Sequence, residues 1–437
     1  MTKASTPQGG TEPDAASASV VATGAAGRDR LVTVARASAV LALMVVHWGL
    51  AVTLSTGLSQ SGPDAAWGWT WTGWATWVFV WIGPAWFGIF GALNGRAARR
   101  SVGTFYRKRF TRLLVPYWVY AAVMLTLEFM LWAGHVGNCG TPVTDNWMLQ
   151  FGPLQALSWI MPFPHASCIG IGQAPFWFMG VYLLLTLLLP GLVRIYDSRW
   201  RKWTLAAGLV LPFVFDFAYR ALDLPRGVDH FSLLWIPQNV VIWGMFGFLG
   251  LYYADKTHER PEVRRWFPAG FVVFTLVTAA MTIGPWPDAM WSGSSGNQFP
   301  PTAAYMTGGL AAVCLILWQR DRLVRFSELR WTRAFVDWLD VNNYTIYIWH
   351  MTAYLVIWWA LEGLGLIDVA GQYAKVVGVP PVVSQLLLFL LPWPVILVIV
   401  RIFHRCEGWD IPPKWWKRRK AARASTAASS VEVDVPR

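Results

Sequence analysis

Apolar runs of about twenty residues, separated by short charged loops, constrain this chain more than any other feature. A helix needs ~20 apolar residues to cross a hydrocarbon core of about 30 Å, and an open sheet could not satisfy its backbone hydrogen bonds there. Ten runs fit this length, at 31–57, 74–93, 112–133, 175–193, 203–220, 233–252, 267–284, 302–318, 343–364 and 381–401. They predict an all-α fold, a polytopic membrane protein with about ten transmembrane helices.

The basic residues predict how these helices are oriented. If the N-terminus lies in the cytoplasm, all 36 Lys and Arg residues fall in cytoplasmic segments except Arg220, Arg226 and Lys375. Cytoplasmic loops retain Lys and Arg, so this asymmetry predicts that both termini are cytoplasmic. The net charge of +12 then reflects topology and contact with anionic membrane lipid, and it does not indicate nucleic-acid binding.

Three segments are expected along the chain, and the ten helices occupy residues 28–404. Residues 1–27 are rich in Ala, Ser, Thr and Gly and lack an apolar core. That composition predicts a disordered cytoplasmic tail and not a signal peptide. Residues 405–437 are predicted to form a basic interfacial anchor, through the sequence KWWKRRK at 414–420, followed by a disordered tail.

The cysteines and histidines do not form a metal-binding pattern, so no metal is expected. None of the four cysteines lies in a CxxC pair or near a histidine at the spacing of a zinc site. Cys139 and Cys168 fall in an outer loop, where a disulfide and two free thiols are equal alternatives. Of the seven histidines, only His47 and His350 lie inside apolar runs. An ionisable residue there is a functional candidate, with a hydrogen bond to a neighbouring helix as the structural alternative.

The first apolar run pairs His47 with an arginine. Arg36 lies eleven residues earlier. Eleven steps of ~100° come to three turns plus about 20°, so the two side chains share one helix face and lie ~16.5 Å apart along its axis. Acyl-coenzyme A, with an anionic head and a long arm that ends in a thioester, has the shape to fit this pair. A charge that only orients the helix is the alternative explanation of Arg36.

A second cluster of arginines precedes the third apolar run. Arg109 and Arg112 are three residues apart, which places them on one helix face. Guanidinium groups can bind phosphate through two parallel hydrogen bonds, so both are candidates for the anionic head of the same ligand. The neighbouring arginines at 96, 99 and 100 are interpreted as orientation charges only.

Together these motifs resemble the acyltransferase 3 family. The resemblance rests on three motifs in order: Arg36-x10-His47, Arg109-x2-Arg112 ahead of Pro116-Tyr117, and Tyr347-Ile-Trp-His350. The stretches 176–178 and 297–302 are similar to family members of high-GC bacteria. The resemblance covers residues 28–404.

The resemblance implies a ten-helix, acyl-CoA-dependent enzyme of the bacterial plasma membrane, similar to O-acetyltransferases. Such proteins move an acyl group, commonly acetyl, from cytoplasmic acyl-CoA to a hydroxyl of a cell-envelope glycan, a glycolipid or a small natural product. Carried over by position, His47 is the catalytic histidine. The residues assigned to binding of the co-substrate acyl-CoA are Arg36, Arg109, Arg112, Tyr347 and His350.

Several alternatives remain open at the level of sequence. His47 acts either as a general base on the acceptor hydroxyl or as the carrier of the acyl group in a relay. A transporter or flippase of a lipid-linked or glycosylated substrate also fits ten helices, although the chain shows no duplicated halves. A non-catalytic lipid-binding scaffold predicts that the Arg36–His47 face is filled by packing, with no cavity between the first and third helices. The sequence specifies neither the acceptor nor the oligomeric state.

Overall fold

The computed structural model covers most of the membrane part of the chain. The described residues are 29–50, 76–133, 160, 176–224, 234–283, 301–368, 375–379 and 381–408. The predicted tail at 1–27, the anchor at 414–420, and Cys139 and Cys168 lie outside these residues, so the corresponding predictions stay predictions.

Helices account for nearly all regular structure in the described residues. The α-helices in chain order are α1 (Arg30–Met44), α2 (Ile82–Arg100), α3 (Val102–Ala133), α4 (Trp177–Tyr196), α5 (Arg201–Ala221), α6 (Trp235–Ala254), α7 (Pro261–Arg264), α8 (Phe267–Ile283), α9 (Ala303–Trp318), α10 (Arg320–Ser327), α11 (Arg330–Gly363), α12 (Pro381–Leu390) and α13 (Pro392–Phe403). Helix α1 continues as a π-helical turn, Val45–Leu50, and 3-10 turns span Thr76–Phe79, Thr257–Glu259 and His404–Gly408. Two short strands, β1 (Ile367–Asp368) and β2 (Lys375–Val376), pair antiparallel with Ile367 opposite Val376. The helical fold class is therefore confirmed for the described residues.

Seven helical segments of the described chain are long and apolar enough to cross a membrane, so the protein is a multi-pass membrane protein. They are Arg30–Trp48, Trp77–Arg100, Val102–Leu127, Trp177–Tyr196, Arg201–Ala221, Pro261–Ile283 and Leu386–Cys406. The other three predicted spans coincide with α6, α9 and α11. Helix α9 has only 16 residues, α6 contains Gln238 and Asn239, and the apolar half of α11 contains His350 and Glu362. The count of ten spans stays a prediction.

Some helix ends differ from the predicted span edges, for two physical reasons. Helix α3 begins at Val102 and α11 at Arg330, well before the predicted edges at 112 and 343. An α-helix satisfies its own backbone hydrogen bonds, so it can continue from the membrane into a charged segment. The predicted span 381–401 is divided at Leu391, because Pro392 lacks the N–H that would continue the helix.

The closest helix packing joins α2 to α6 and depends on glycine. A Cβ atom on Gly91 would lie 1.8 Å from the carbonyl oxygen of Gly247, and one on Gly250 would lie 2.0 Å from that of Gly88. Small residues that let backbones approach are typical of helix interfaces in membranes. The two helices therefore form one tightly joined pair.

Ion pairs gather the basic loops at one end of the bundle. Arg99, at the end of α2, lies 2.8 Å from Asp197 after α4 and 3.6 Å from Asp255 after α6. Arg30, at the start of α1, pairs with Asp337 of α11. All of these residues fall in segments predicted to be cytoplasmic. Which side of the membrane this end faces stays a prediction.

The buried acidic residue of α5 has a structural role. Asp216 accepts a hydrogen bond of 2.8 Å from the backbone N–H of Ala303 and one of 3.0 Å from the Gln238 amide. Ala303 is the first residue of α9, so the carboxylate lies at the positive end of that helix, where a negative charge is stabilised. Asp216 thereby fixes α9 against α5.

Candidate active site

Two histidines from distant parts of the chain meet inside the helix bundle. The Nδ1 atom of His47, in the π-helical turn after α1, lies 2.6 Å from Nε2 of His350 in α11. Their rings stack, with centroids 4.8 Å apart and planes inclined by 20°. His350 is 1% exposed, whereas His47 is half-buried. The sequence identified both residues but not that they form a hydrogen-bonded pair.

The hydrogen bonds of this pair define which nitrogen is free to act as a base. Nδ1 of His350 lies 2.7 Å from the carbonyl oxygen of Tyr347. Because a carbonyl oxygen only accepts, Nδ1 of His350 carries hydrogen, and its Nε2 in the neutral ring accepts. His47 must then donate from Nδ1, which leaves the lone pair on its Nε2. Among the described residues nothing hydrogen-bonds that Nε2 atom.

The residue after His47 anchors the same turn to α11. Trp48 is fully buried and donates from Nε1 to the carbonyl oxygen of His350 at 2.9 Å. Its ring packs edge-on against Trp393 of α13, with centroids 5.7 Å apart. Short π-helical segments occur frequently at functional sites. Here the segment attaches both His47 and Trp48 to one residue of α11.

A small cavity lies among five helices near Arg36 and is called the arginine cavity below. Its volume is about 100 Å³. Its lining includes Arg36 of α1, Asn94 of α2, Arg109 and Arg112 of α3, Tyr182 of α4, and Asn343, Tyr344 and Tyr347 of α11. The structure thus brings together four of the six residues that the sequence assigned to the site. A cavity between the first and third helices is the feature that the scaffold alternative excluded.

The arginines of this cavity differ in how their charge is balanced. Arg36 pairs with Asp340 of α11 at 3.0 Å, and the carboxyl side chain is only 3% exposed. Arg109 is half-buried and Arg112 is exposed. Within the described ranges, the ion pairs include neither Arg109 nor Arg112. Because a partly buried charge is costly without a partner, Arg109 favours an anion in the cavity. Arg112, which also lines it, can add a second charge-assisted hydrogen bond.

The arginine cavity and the imidazole pair are neighbours along α11 but are not continuous. Neither His47 nor His350 lines the cavity. Tyr347 does, and its ring centroid lies 6.2 Å from that of His350, one helical turn further along. Arg36 and His47 both contact α11, through Asp340 and His350. The shared face predicted for these two residues is thus the one that α11 covers, with Tyr347 between the two contacts.

Sequence reasoning missed two polar residues of the site. Asp340, the partner of Arg36, stands in the run Asp340-Val-Asn-Asn just before a predicted span, and such a polar run would have been the signal. Asn94 lines the cavity and is 1% exposed. It donates to the carbonyl oxygen of Phe90 at 2.7 Å, while its Oδ1 has no partner among the described residues. An unpaired buried acceptor favours a ligand that can donate a hydrogen bond.

These features define a multi-pass membrane protein with an arginine-lined cavity and a hydrogen-bonded pair of histidines inside its bundle. A family model of the acyltransferase domain matches residues 31–401, and the chain belongs to the acyltransferase 3 family. The resemblance inferred from the three motifs is therefore confirmed, and the protein is a membrane acyltransferase. Comparison with curated proteins and with solved structures finds no significant match. In the described residues, no group of three or more His, Cys, Asp and Glu side chains could hold a metal ion.

Proposed function

We propose that this protein is an acyl-CoA-dependent O-acyltransferase of the bacterial plasma membrane. It transfers an acetyl group from cytoplasmic acetyl-CoA to a hydroxyl of a cell-envelope glycan, a glycolipid or a small natural product. The observation that carries the proposal is the arrangement along α11. A cavity with two arginines that have no ion pair among the described residues lies one helical turn from His350. His350 in turn hydrogen-bonds His47, whose Nε2 is free.

The arginine cavity supports the donor half of this proposal. At about 100 Å³ it accepts one phosphate-sized group and is too small for a whole nucleotide. Arg109 and Arg112 would hold such a group by charge-assisted hydrogen bonds, which are stronger than neutral ones. The rest of the nucleotide then lies at the end of the bundle where the basic loops meet. The thioester arm reaches His47 when the ring of Tyr347 turns aside.

The free Nε2 of His47 supports the chemical step. The acceptor oxygen attacks the thioester carbonyl carbon while Nε2 takes the hydroxyl proton. The carbon–sulfur bond breaks, and the imidazolium returns that proton to the leaving thiolate of coenzyme A. General-base assistance of this type contributes about 10²–10⁴-fold to the rate. His350 orients the ring, since it accepts from Nδ1 of His47 and so keeps the lone pair on Nε2.

The same lone pair would serve in an acyl-histidine relay. In that route Nε2 attacks the thioester first, coenzyme A leaves, and the acceptor hydroxyl then takes the acyl group from the imidazole. A burst of coenzyme A from acetyl-CoA without acceptor, with label retained on the protein, would identify the relay. Steady release only when an acceptor is present would identify the general base.

Purified protein and acetyl-CoA provide the test of donor and base together. Wild type should be stabilised against heat by acetyl-CoA, since a ligand that binds only the folded state raises its stability. His47→Ala should keep this stabilisation and lose release of coenzyme A. Arg109→Ala should bind acetyl-CoA roughly 10–100-fold more weakly, the effect of losing a hydrogen bond to a charged group.

Two matched variants control for general damage. Arg107→Ala removes an exposed arginine of the same helix that does not line the cavity, and His404→Ala removes a histidine outside the site. Both should resemble wild type. Full turnover by His47→Ala would refute the catalytic assignment. Absence of stabilisation at millimolar acetyl-CoA would exclude the donor and favour a transporter or flippase.

A further inference from the structure

A second, larger cavity lies on the opposite side of α1 and α2 from the arginine cavity, and is called the apolar cavity below. Its volume is about 380 Å³. Its walls come from α1, α2, α5, α6, α8 and α9, and are lined by side chains such as Ile89, Leu209, Phe246, Phe274 and Leu317. Helices α5 and α8 expose apolar residues on their other sides, among them Val214 and Leu276. The surrounding hydrocarbon of the membrane is therefore directly beside its wall.

The volume and the lining point to a hydrocarbon chain as the occupant. In the liquid a methylene group takes up about the space of a water molecule, roughly 30 Å³, so the cavity holds about a dozen carbons. When the cavity is empty its lining side chains lack contact partners, so filling it with hydrocarbon is favourable. Water gains little there, because it needs two to four polar partners.

One end of the apolar cavity is polar and is formed by the turn between α6 and α7. His258 lines it, is 7% exposed, and stacks on Tyr253 with ring centroids 4.0 Å apart. Neither ring nitrogen of His258 hydrogen-bonds a described residue, and the nearest carboxylate, that of Glu259, is 3.9 Å away. Burial lowers the pKa of His258, so the ring is neutral and offers one donor and one acceptor.

We propose that the apolar cavity binds one acyl chain of a membrane phospholipid, from the leaflet on the side of the basic loops. The chain fills the space between α1, α2 and α9, and His258 donates a hydrogen bond to an ester or phosphate oxygen of the same lipid. This site is separate from the arginine cavity and does not depend on the proposed function.

The charges near the polar end predict how selective the site is. Lys256 and Arg320 lie beside Glu259, and Asp29 accepts a hydrogen bond from Tyr253. Charges of both signs therefore surround the headgroup. The acyl chain supplies most of the binding, so zwitterionic phosphatidylcholine and anionic phosphatidylglycerol should bind with similar affinity.

Cys314, which lines the apolar cavity, allows occupancy to be measured in the unmodified protein. Purified protein in detergent is treated with N-ethylmaleimide, and alkylation of the Cys314 peptide is followed by mass spectrometry. Added dioleoyl phosphatidylcholine at ten times its dissociation constant should slow alkylation about tenfold, and phosphatidylglycerol should do the same. The buried thiol of Cys406, which does not line the cavity, is the internal reference and should keep its rate.

Two further outcomes of this experiment would overturn the proposal. Equal rates of Cys314 alkylation with and without either lipid would show that no phospholipid enters. Protection by a long-chain acyl-CoA but by neither phospholipid would assign the cavity to the acyl group of a donor.

Native mass spectrometry of substituted proteins provides an independent test, because it counts the lipids that each variant retains. Cys314→Phe places a ring inside the apolar cavity and narrows it, so a smaller fraction of the protein should retain the lipid than in wild type. Leu315→Phe, at the next position on the lipid-exposed side of α9, should retain the wild-type number. His258→Leu should weaken phospholipid binding by about two- to tenfold, the effect of losing a neutral hydrogen bond. Equal lipid counts for Cys314→Phe and wild type would contradict the proposal.

Discussion

The arginine cavity and the apolar cavity lie on two sides of the same helices and differ in almost every physical property. The first measures about 100 Å³ and contains three guanidinium groups and an unpaired amide oxygen, and the second measures about 380 Å³ and is almost wholly apolar. Ile89 of α2 lines both. Helix α2 thus forms a wall between a space suited to an anion and a space suited to a hydrocarbon chain.

The difference shows how a bundle with few charges can still build a polar site. Burying an arginine is costly unless it is paired, and Arg36 is paired with Asp340 at 3.0 Å. The remaining arginines lie close to the end of the bundle where α2 meets α3, and Arg112 is exposed there. Among the residues that line the two cavities, the charged side chains therefore belong to the arginine cavity, and the apolar cavity keeps its histidine and tyrosines at a single end.

The largest expected effect comes from disrupting the contact between α2, which forms the wall, and α6. Gly91→Leu would place its Cβ 1.8 Å from the Gly247 carbonyl oxygen, so α2 and α6 would have to separate. Overpacking in a well-packed core costs about 1–3 kcal/mol, and a clash with backbone exceeds that range. We expect little folded protein, measured as the monodisperse fraction in size-exclusion chromatography and by thermal unfolding.

Gly191→Ala is the matched control for that change. It adds a Cβ at a helical glycine that has no neighbour within 4 Å, and it should leave the yield of folded protein unchanged. If Gly91→Leu folds as well as Gly191→Ala, the wall is not held by close contact between α2 and α6.

The second largest effect is expected on catalysis, from a change at the histidine pair that leaves the apolar cavity intact. His350→Phe keeps an aromatic ring but removes the acceptor for Nδ1 of His47, which is 2.6 Å away in the native protein. The lone pair of His47 is then no longer held on Nε2, and turnover should fall by about 10²–10⁴-fold, as when the orienting partner of a catalytic histidine is lost. Release of coenzyme A measures the effect.

The conservative variant His350→Gln separates positioning from packing. Its amide oxygen can accept from Nδ1 of His47 and should restore part of the activity, with a changed pH profile. Stabilisation by acetyl-CoA should be close to that of wild type in both variants, because His350 does not line the arginine cavity. Wild-type turnover by His350→Phe would show that His350 acts only through packing, and equal loss in the two variants would show that accepting the hydrogen bond from His47 is not its role.

Much of the fold and part of the site could be predicted from sequence, because they depend on local patterns. Apolar length predicted the helices, and the spacing of Arg36 and His47 correctly placed them on one face. Intramembrane histidines are rare enough that His47 and His350 could be identified individually. Their position relative to one another depends on the packing of α1 against α11, which are some 300 residues apart in sequence and have no common local signal.

The features of the site that could not be predicted depend on tertiary contacts, that is, on which side chains pack against one another. Asp340 looked like one more charge in a basic loop, but it is buried against Arg36. His258 lies in a charged loop that carries no signal of a site, because only the tertiary structure shows that its ring nitrogens have no partner among the described residues. The apolar cavity has no sequence signature at all, since lipid-facing and cavity-facing residues of α5 and α9 are equally hydrophobic.

The smallest expected effect comes from making one position of the arginine cavity resemble the apolar cavity. Asn94→Leu removes the unpaired amide oxygen, whose burial without a partner costs about 1–3 kcal/mol, so the protein without donor should unfold at the same or a higher temperature. If the oxygen accepts from an N–H or O–H of the donor, acetyl-CoA should bind about two- to tenfold more weakly. Asn342→Leu is the control, because Asn342 is also buried and donates to a carbonyl four residues earlier, but does not line the cavity. Unchanged acetyl-CoA affinity in Asn94→Leu would show that Asn94 does not bind the donor. A higher unfolding temperature together with weaker acetyl-CoA binding would show that the buried Asn94 lowers folding stability and strengthens donor binding.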